Sequence, residues 1–253
     1  LSRFDAVGFT LQYEMSYTNM INMLDLSGIP LRSAERGDRY PLVICGGPCA
    51  YNPEPLWNIA DIFVLGEGEE VINEILDKYR EWKGSGSGKK SFLESIAQVG
   101  GVYIPSFYDV DYNPDMTIKR FYPLAERYPS RISKRIIYHM DDSYFPKSMI
   151  VPYTDIVHDR IMLEVFRGCT RGCRFCQAGM VYRPVREKSA STLVGQADEL
   201  IRSTGYDELS LTSLSICDYS DIDNLIYQLV EKHQREGVGV SLPSLRIDSF
   251  SVD

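Results

Sequence analysis

Apolar runs of strand length that break into glycine loops and then into amphipathic segments recur along these 253 residues, and that alternation admits few folds. The run FDAVGFTLQY, Phe4 to Tyr13, reads as a buried strand. After it, YTNMINMLDLSGIP sets Met20, Ile21, Leu24 and Leu26 at helical spacing, and Gly28 followed by Pro30 stops the helix. YPLVICGGP is a second strand, ended by Gly46 and Gly47. DIFVLGEGEE is a third, ended by Gly66 and Gly68, and EEVINEILDKYREW continues as an amphipathic helix with Val71, Ile72, Ile75 and Leu76 expected inward. Strand, helix, strand, strand, helix with glycines at the carboxyl ends is the pattern of an open, Rossmann-like α/β sheet. In such a sheet ligands bind outside the carboxyl ends of the strands.

The stretch KGSGSGKK, residues 83–90, is flexible by composition and is expected to end this first domain, residues 1–83. A linker and β-rich connector, residues 84–160, is expected next, from the tyrosine-rich runs GGVYIPSFYDVDY, TIKRFYPL, SKRIIYHMDD and SMIVPYTDIV. From residue 161 to 253 a second series begins. RIMLEVFRG reads as a strand, SASTLVGQADELIRSTG as a helix with a Ser or Thr cap, and YDELSLTSLS as a strand. DYSDIDNLIYQLVEKHQREG is then a helix closed by Gly237, and VGVSLPSLRID a third strand. This alternation suggests a parallel sheet or a (β/α) barrel, for which three strands are too few. The first residues also start straight on a strand, so further polypeptide is expected on both sides.

Between the first strand and helix of that second series lies RGCTRGCRFCQAG, with Cys169, Cys173 and Cys176. Composition narrows what they do. Six cysteines in a chain of this length, three of them within eight positions, are not the dense framework of a small secreted domain and favour reduced thiols or a metal. No run approaches the roughly 20 apolar residues a membrane helix needs, so a soluble cytoplasmic protein is expected. The net charge of -8 gives nucleic acid no support. On a continuous helix the three thiols would share one face as a packing stripe, but Gly168 and Gly172 each cost a helix about 1 kcal/mol relative to Ala. Structural zinc nearly always takes four ligands, and only the distant His158 and Cys217 are candidates for the fourth. A catalytic thiol needs one cysteine and a base. An iron-sulfur cluster accepts three thiolates from a loop and leaves one iron open.

Cys169-x-x-x-Cys173-x-x-Cys176, placed after a strand and with aromatic Phe175 before its last cysteine, resembles the signature of the radical S-adenosylmethionine (radical SAM) superfamily. The resemblance implies a partial (β/α) radical SAM barrel in which these cysteines bind a [4Fe-4S] cluster. Its open iron would be chelated by S-adenosylmethionine, which one electron would cleave to methionine and a 5'-deoxyadenosyl radical. It implies an electron donor such as flavodoxin or ferredoxin and an unknown substrate. Thr212 and Ser213 match by position the strand end that meets the methionine amino group in relatives. Arg246 and Asp248 resemble an Arg-x-Asp strand ending, with Arg246 available to a carboxylate. Residues 1–83 resemble part of a cobalamin-binding domain, with Gly46, Gly47, Gly66 and Gly68 placed to let backbone approach the cobalamin nucleotide tail. The pair of domains resembles the B12-binding-domain radical SAM proteins. The Asp-x-His-x-x-Gly motif that supplies an axial histidine in one cobalamin class is absent, so cobalamin binding stays open. A different class stays open too: an iron-sulfur module for electron transfer or redox sensing, or a zinc-held loop.

Overall fold

The computed structural model describes residues 1–154 and 156–246. The chain forms two compact units, the first Leu1–Ile136 and the second opening at Ile137. In the first, β1 (Ala6–Thr10) leads through α1 (Ser16–Leu26) to β2 (Leu42–Gly46), then β3 (Ile62–Val64), α2 (Gly68–Lys83), α3 (Lys89–Ile96) and β4 (Val102–Tyr103). A hairpin of β5 (Tyr108–Tyr112) and β6 (Ile118–Pro123) follows. The sheet order is β1-β2-β3-β4. Its first three strands are parallel, with Ala6 opposite Leu42 and Ile44 opposite Ile62, and β4 runs antiparallel to β3.

Successive strand side chains point to opposite faces, and here each face has a core. Val43, Cys45 and Phe63 pack with Met20 and Leu24 of α1. Leu42 and Ile62 pack with Val71 and Ile75 of α2 and with Phe92 and Ile96 of α3. The inward stripe of α2 is narrower than its sequence suggests, because Ile72 and Leu76 are about 40% exposed.

The division between units falls after Ile136 and not at the glycine-serine stretch. That stretch joins two helices that pack on each other: the Phe92 ring lies 5.5 Å from both Tyr79 and Trp82. The Trp82 indole also donates to the Gly88 carbonyl at 3.1 Å. Residues 89–136 therefore belong to the first core. Of the four β-like runs between 92 and 160, the first two supply β4, β5 and β6. Among the described residues no strand forms in the other two, apart from a single bridge of Arg135 to Gly66.

The second unit contains β7 (Ile161–Glu164), β8 (Phe166–Arg167), α4 (Ala178–Val181), β9 (Arg186–Glu187), α5 (Ala190–Thr204), β10 (Glu208–Thr212), α6 (Ile222–His233) and β11 (Gly239–Ser241). β11, β10 and β7 form a parallel sheet in that order, and β8 pairs antiparallel with β9. Ile161, Leu163, Leu209 and Leu211 bury against Leu193, Ala197 and Leu200 of α5 and Leu225 and Leu229 of α6. The fold is mixed α/β, with a parallel sheet in the second unit and a sheet in the first that is parallel except for β4.

Candidate functional site

The cysteine loop leaves the carboxyl end of β8, which follows directly on β7, and returns at β9, the strand that pairs with β8. Its neck is closed by backbone. Gly168 has φ +92, and a Cβ on it would stand 2.4 Å from the Pro184 carbonyl oxygen and 2.8 Å from that of Tyr182, so only glycine lets the two limbs meet. Arg186, buried in the returning limb, donates to the carbonyls of Ile137 at 2.9 Å, Pro184 at 3.0 Å and Tyr182 at 3.2 Å. The Arg183 guanidinium donates to the Cys169 carbonyl at 3.2 Å. A buried guanidinium needs this many acceptors, and in accepting from it the chain fixes its own course.

Within that neck the three thiols lie off any helix, because α4 begins only at Ala178 and Gly172 takes φ +68. The shared-face packing stripe is thereby excluded. All three cysteines are free; Cys173 is exposed and Cys169 and Cys176 are half-buried. The Cys176 amide donates to the Cys173 carbonyl at 3.0 Å, which makes a turn of the Cys-x-x-Cys segment. Among the described residues no group of three or more His, Cys, Asp or Glu is gathered to hold a metal ion. The loop thus presents three thiols together in sequence without assembling them beforehand. Phe175 is 91% exposed. Cys217, the distant candidate for a fourth ligand, packs against the second core instead.

Two ion pairs frame the loop. Arg167 grips Glu164 through Nε at 2.7 Å and Nη2 at 3.0 Å. Arg171 grips Asp218 with both prongs, its Nε at 2.8 Å from Oδ2, and so fastens the loop to the segment that follows β10. The Arg171 guanidinium holds the Asp218 carboxyl below the usual carboxylate range. Arg246 Nη1 is 3.9 Å from Asp218 Oδ2. Thr212 donates its hydroxyl to the Leu163 carbonyl at 2.9 Å and Ser213 accepts from the Ser215 amide at 3.3 Å, so both are held at the carboxyl end of β10. Asp248 lies outside the described residues. Sequence reading missed Asp218, which no local spacing ties to Arg171.

The glycines of the first unit have local roles. Gly47, at φ +90, would place a Cβ 2.9 Å from the Leu11 carbonyl oxygen, and Gly66, at φ +105, would place one 2.1 Å from that of Arg135. Arg135 donates its amide to the Leu65 carbonyl and accepts from the Glu67 amide, so the chain itself lies along the loop after β3. Gly46 makes an ordinary 3.8 Å approach to the Val64 oxygen, and Gly68 opens α2 with open space around it.

Residues 163–251 match the family model described as the radical SAM superfamily, and residues 1–105 match that of radical SAM proteins, N-terminal. The chain belongs to the radical SAM superfamily. This radical SAM chain is 28% identical over 256 residues to the uncharacterized protein MJ0966 of Methanocaldococcus jannaschii. The match takes in all of the chain and 47% of that relative, so the chain spans about half the relative's length. Its fold is similar to the cobalamin-dependent S-adenosylmethionine radical enzyme OxsB with aqua-cobalamin and S-adenosylmethionine bound. There the TM-score is 0.57 at 16% identity, over 94% of this chain and 30% of that one. The apo, selenomethionine-labelled OxsB gives 0.53 at 14% identity with the same coverage. Among the described residues no helix is long and apolar enough to cross a membrane.

Proposed function

We propose that this chain carries the S-adenosylmethionine-cleaving centre of a radical SAM enzyme, with Cys169, Cys173 and Cys176 as the ligands of a [4Fe-4S] cluster. The observation that carries the reading is the loop itself: three free thiols within eight residues, off any helix, on a pinned neck at the carboxyl end of a parallel sheet. That donor set fits a cluster that brings its own bridging sulfides and leaves one iron to a non-protein ligand. Bound there, the cluster supplies the electron that cleaves S-adenosylmethionine to methionine and a 5'-deoxyadenosyl radical. The protein's part is to hold and orient. Gly168 and Arg186 fix where the loop starts and ends, and Arg171 with Asp218 ties it to the end of β10. Thr212 and Ser213 stand at the carboxyl end of β10, and Arg246 lies beyond β11 with its Nη1 3.9 Å from Asp218; these are the groups that would receive a methionine amino group and carboxylate. Flavodoxin or ferredoxin is the class of electron donor this chemistry asks for.

For cobalamin the residues do not make a fit. Gly47 and Gly66 serve the approach of the chain's own backbone.

The test is anaerobic reconstitution of the full chain with iron and sulfide. Electron paramagnetic resonance of the reduced protein would be recorded with and without S-adenosylmethionine, beside a Cys173→Ala variant. A [4Fe-4S] signal that moves on adding S-adenosylmethionine, with 5'-deoxyadenosine formed and both absent from the variant, supports the reading. No cluster, or a cluster indifferent to S-adenosylmethionine, overturns it in favour of a zinc or electron-transfer module.

A further inference from the structure

The first unit holds a cavity of about 630 Å³, far from any cysteine loop in sequence and lined wholly by residues 32–128. It opens at the amino end of β3, the end opposite Gly66. The only carboxylate in its lining is Asp61, and that group is already neutralised. Asp61, 5% exposed, accepts the Val43 amide at 2.8 Å and pairs with Lys89 at 2.7 Å and Arg36 at 3.1 Å. Arg36 is buried, donates to the carbonyls of Pro30, Leu31 and Ile59, and keeps one donor, its Nε, without a hydrogen-bond partner.

Above this floor the lining adds Arg32, Lys90 and Arg127. Arg127 is bridged to Glu94 at 2.7 Å, whereas the side chains of Arg32 and Lys90 make no ion pair or hydrogen bond among the described residues. The same cavity is lined by aromatic rings, of which Trp57 is the exposed one and Phe107 and Tyr128 are buried. Trp57 is 55% exposed, and Tyr128 stacks on Phe107 with centroids 4.1 Å apart and planes 7° from parallel.

A chain of net charge -8 has therefore gathered five cationic side chains, three of them paired to Asp61 or Glu94 and two, Arg32 and Lys90, not, around an aromatic-lined hollow of small-molecule size. Unpaired guanidinium and ammonium groups in one concavity repel each other, and an anion held between them relieves that repulsion and uses Arg geometry suited to phosphate. An inorganic ion alone would leave the rings and most of the volume unused. We propose that this cavity binds a ring-bearing organic phosphate of the nucleotide class, its phosphate on Arg32 and Lys90 and its ring against Trp57. The lining belongs wholly to the first unit and the cysteine loop to the second, and the proposal does not depend on the reading given for that loop.

Isothermal titration calorimetry of the full chain tests this with four probes: 5'-AMP, ribose 5-phosphate, adenosine and inorganic phosphate. AMP is expected to bind saturably and to weaken by about tenfold or more in an Arg32→Ala, Lys90→Ala double variant whose thermal melt is unchanged, since both side chains are exposed. Trp57→Ala is expected to weaken AMP more than ribose 5-phosphate. Cys173→Ala should bind AMP as the parent does, and S-adenosylmethionine should not displace it, which keeps this result distinct from the fate of the cluster reading. The proposal is overturned by no saturable binding of AMP at millimolar concentration, or by binding that survives the double variant. Adenosine or inorganic phosphate binding as tightly as AMP overturns it as well.

Discussion

A glycine's worth here depends on what stands opposite it. Gly28 and Gly66 both take positive φ, +65 and +105, but a Cβ on Gly28 meets open space whereas one on Gly66 meets the Arg135 backbone. For Gly28→Ala only the left-handed conformation costs, about 1 kcal/mol. Gly66→Ala adds an overlap with backbone that has no rotamer to escape into, raising the loss to about 3 kcal/mol. Urea unfolding of the two variants checks this, and equal losses would mean that the Arg135 segment is not anchored along the loop after β3. Gly168 is the same case at the cysteine loop, with the Pro184 oxygen in the place of the Arg135 oxygen. Gly168→Ala is therefore expected to reduce several-fold the iron and sulfide taken up on reconstitution, measured by metal and sulfide analysis.

At the scale of elements, α5 shows how little of a helix's position is left to chance. Ser189 accepts the Thr192 amide at 3.2 Å as its N-cap, and Gly205 closes it in the left-handed region at φ +74. Ser189→Ala should lower stability by about 1 kcal/mol in denaturant unfolding, because one amide of the first turn loses its acceptor. A change near zero would show that another hydroxyl, such as Ser191 or Thr192, takes over the cap. These elements were legible beforehand: continuous apolar runs in the strands, a period near 3.6 in the helices, and glycine at the exits. The unit boundary was not, because KGSGSGKK has the composition of a linker whether it separates domains or joins two packed helices. What decides is the meeting of Phe92 with Tyr79 and Trp82, a tertiary fact. The runs SKRIIYHMDD and SMIVPYTDIV have strand-forming residues but, among the described residues, no neighbouring strand to pair with. Propensity without a partner gives no sheet.

Across the whole molecule the cysteines of the first core differ in burial from those of the loop, while Cys217 packs half-buried against the second core. Cys45 sits fully buried in the first core, and burial pushes its thiol up to about 12; burial raises that of Cys49 as well. Cys169, Cys173 and Cys176 stand in the second unit with at least partial access to solvent. The loop that carries them was legible from spacing and glycine content alone. Its fastening was not, since Arg171 and Asp218 are 47 residues apart and only the sheet brings β7 and β10 together. The thiolate is the reactive form, and at pH 8 a thiol titrating near 12 is ionised to about one part in ten thousand. Iodoacetamide on the folded, cluster-free chain should therefore label Cys173 fastest and Cys169 and Cys176 next, and leave Cys45 untouched until the chain unfolds. Peptide mass mapping gives the order. Repeating the labelling after anaerobic reconstitution should protect Cys169, Cys173 and Cys176 together, because thiolates bound to iron are unavailable to the reagent. Protection of only two of the three would mean that the loop closes on a different metal centre from the one proposed.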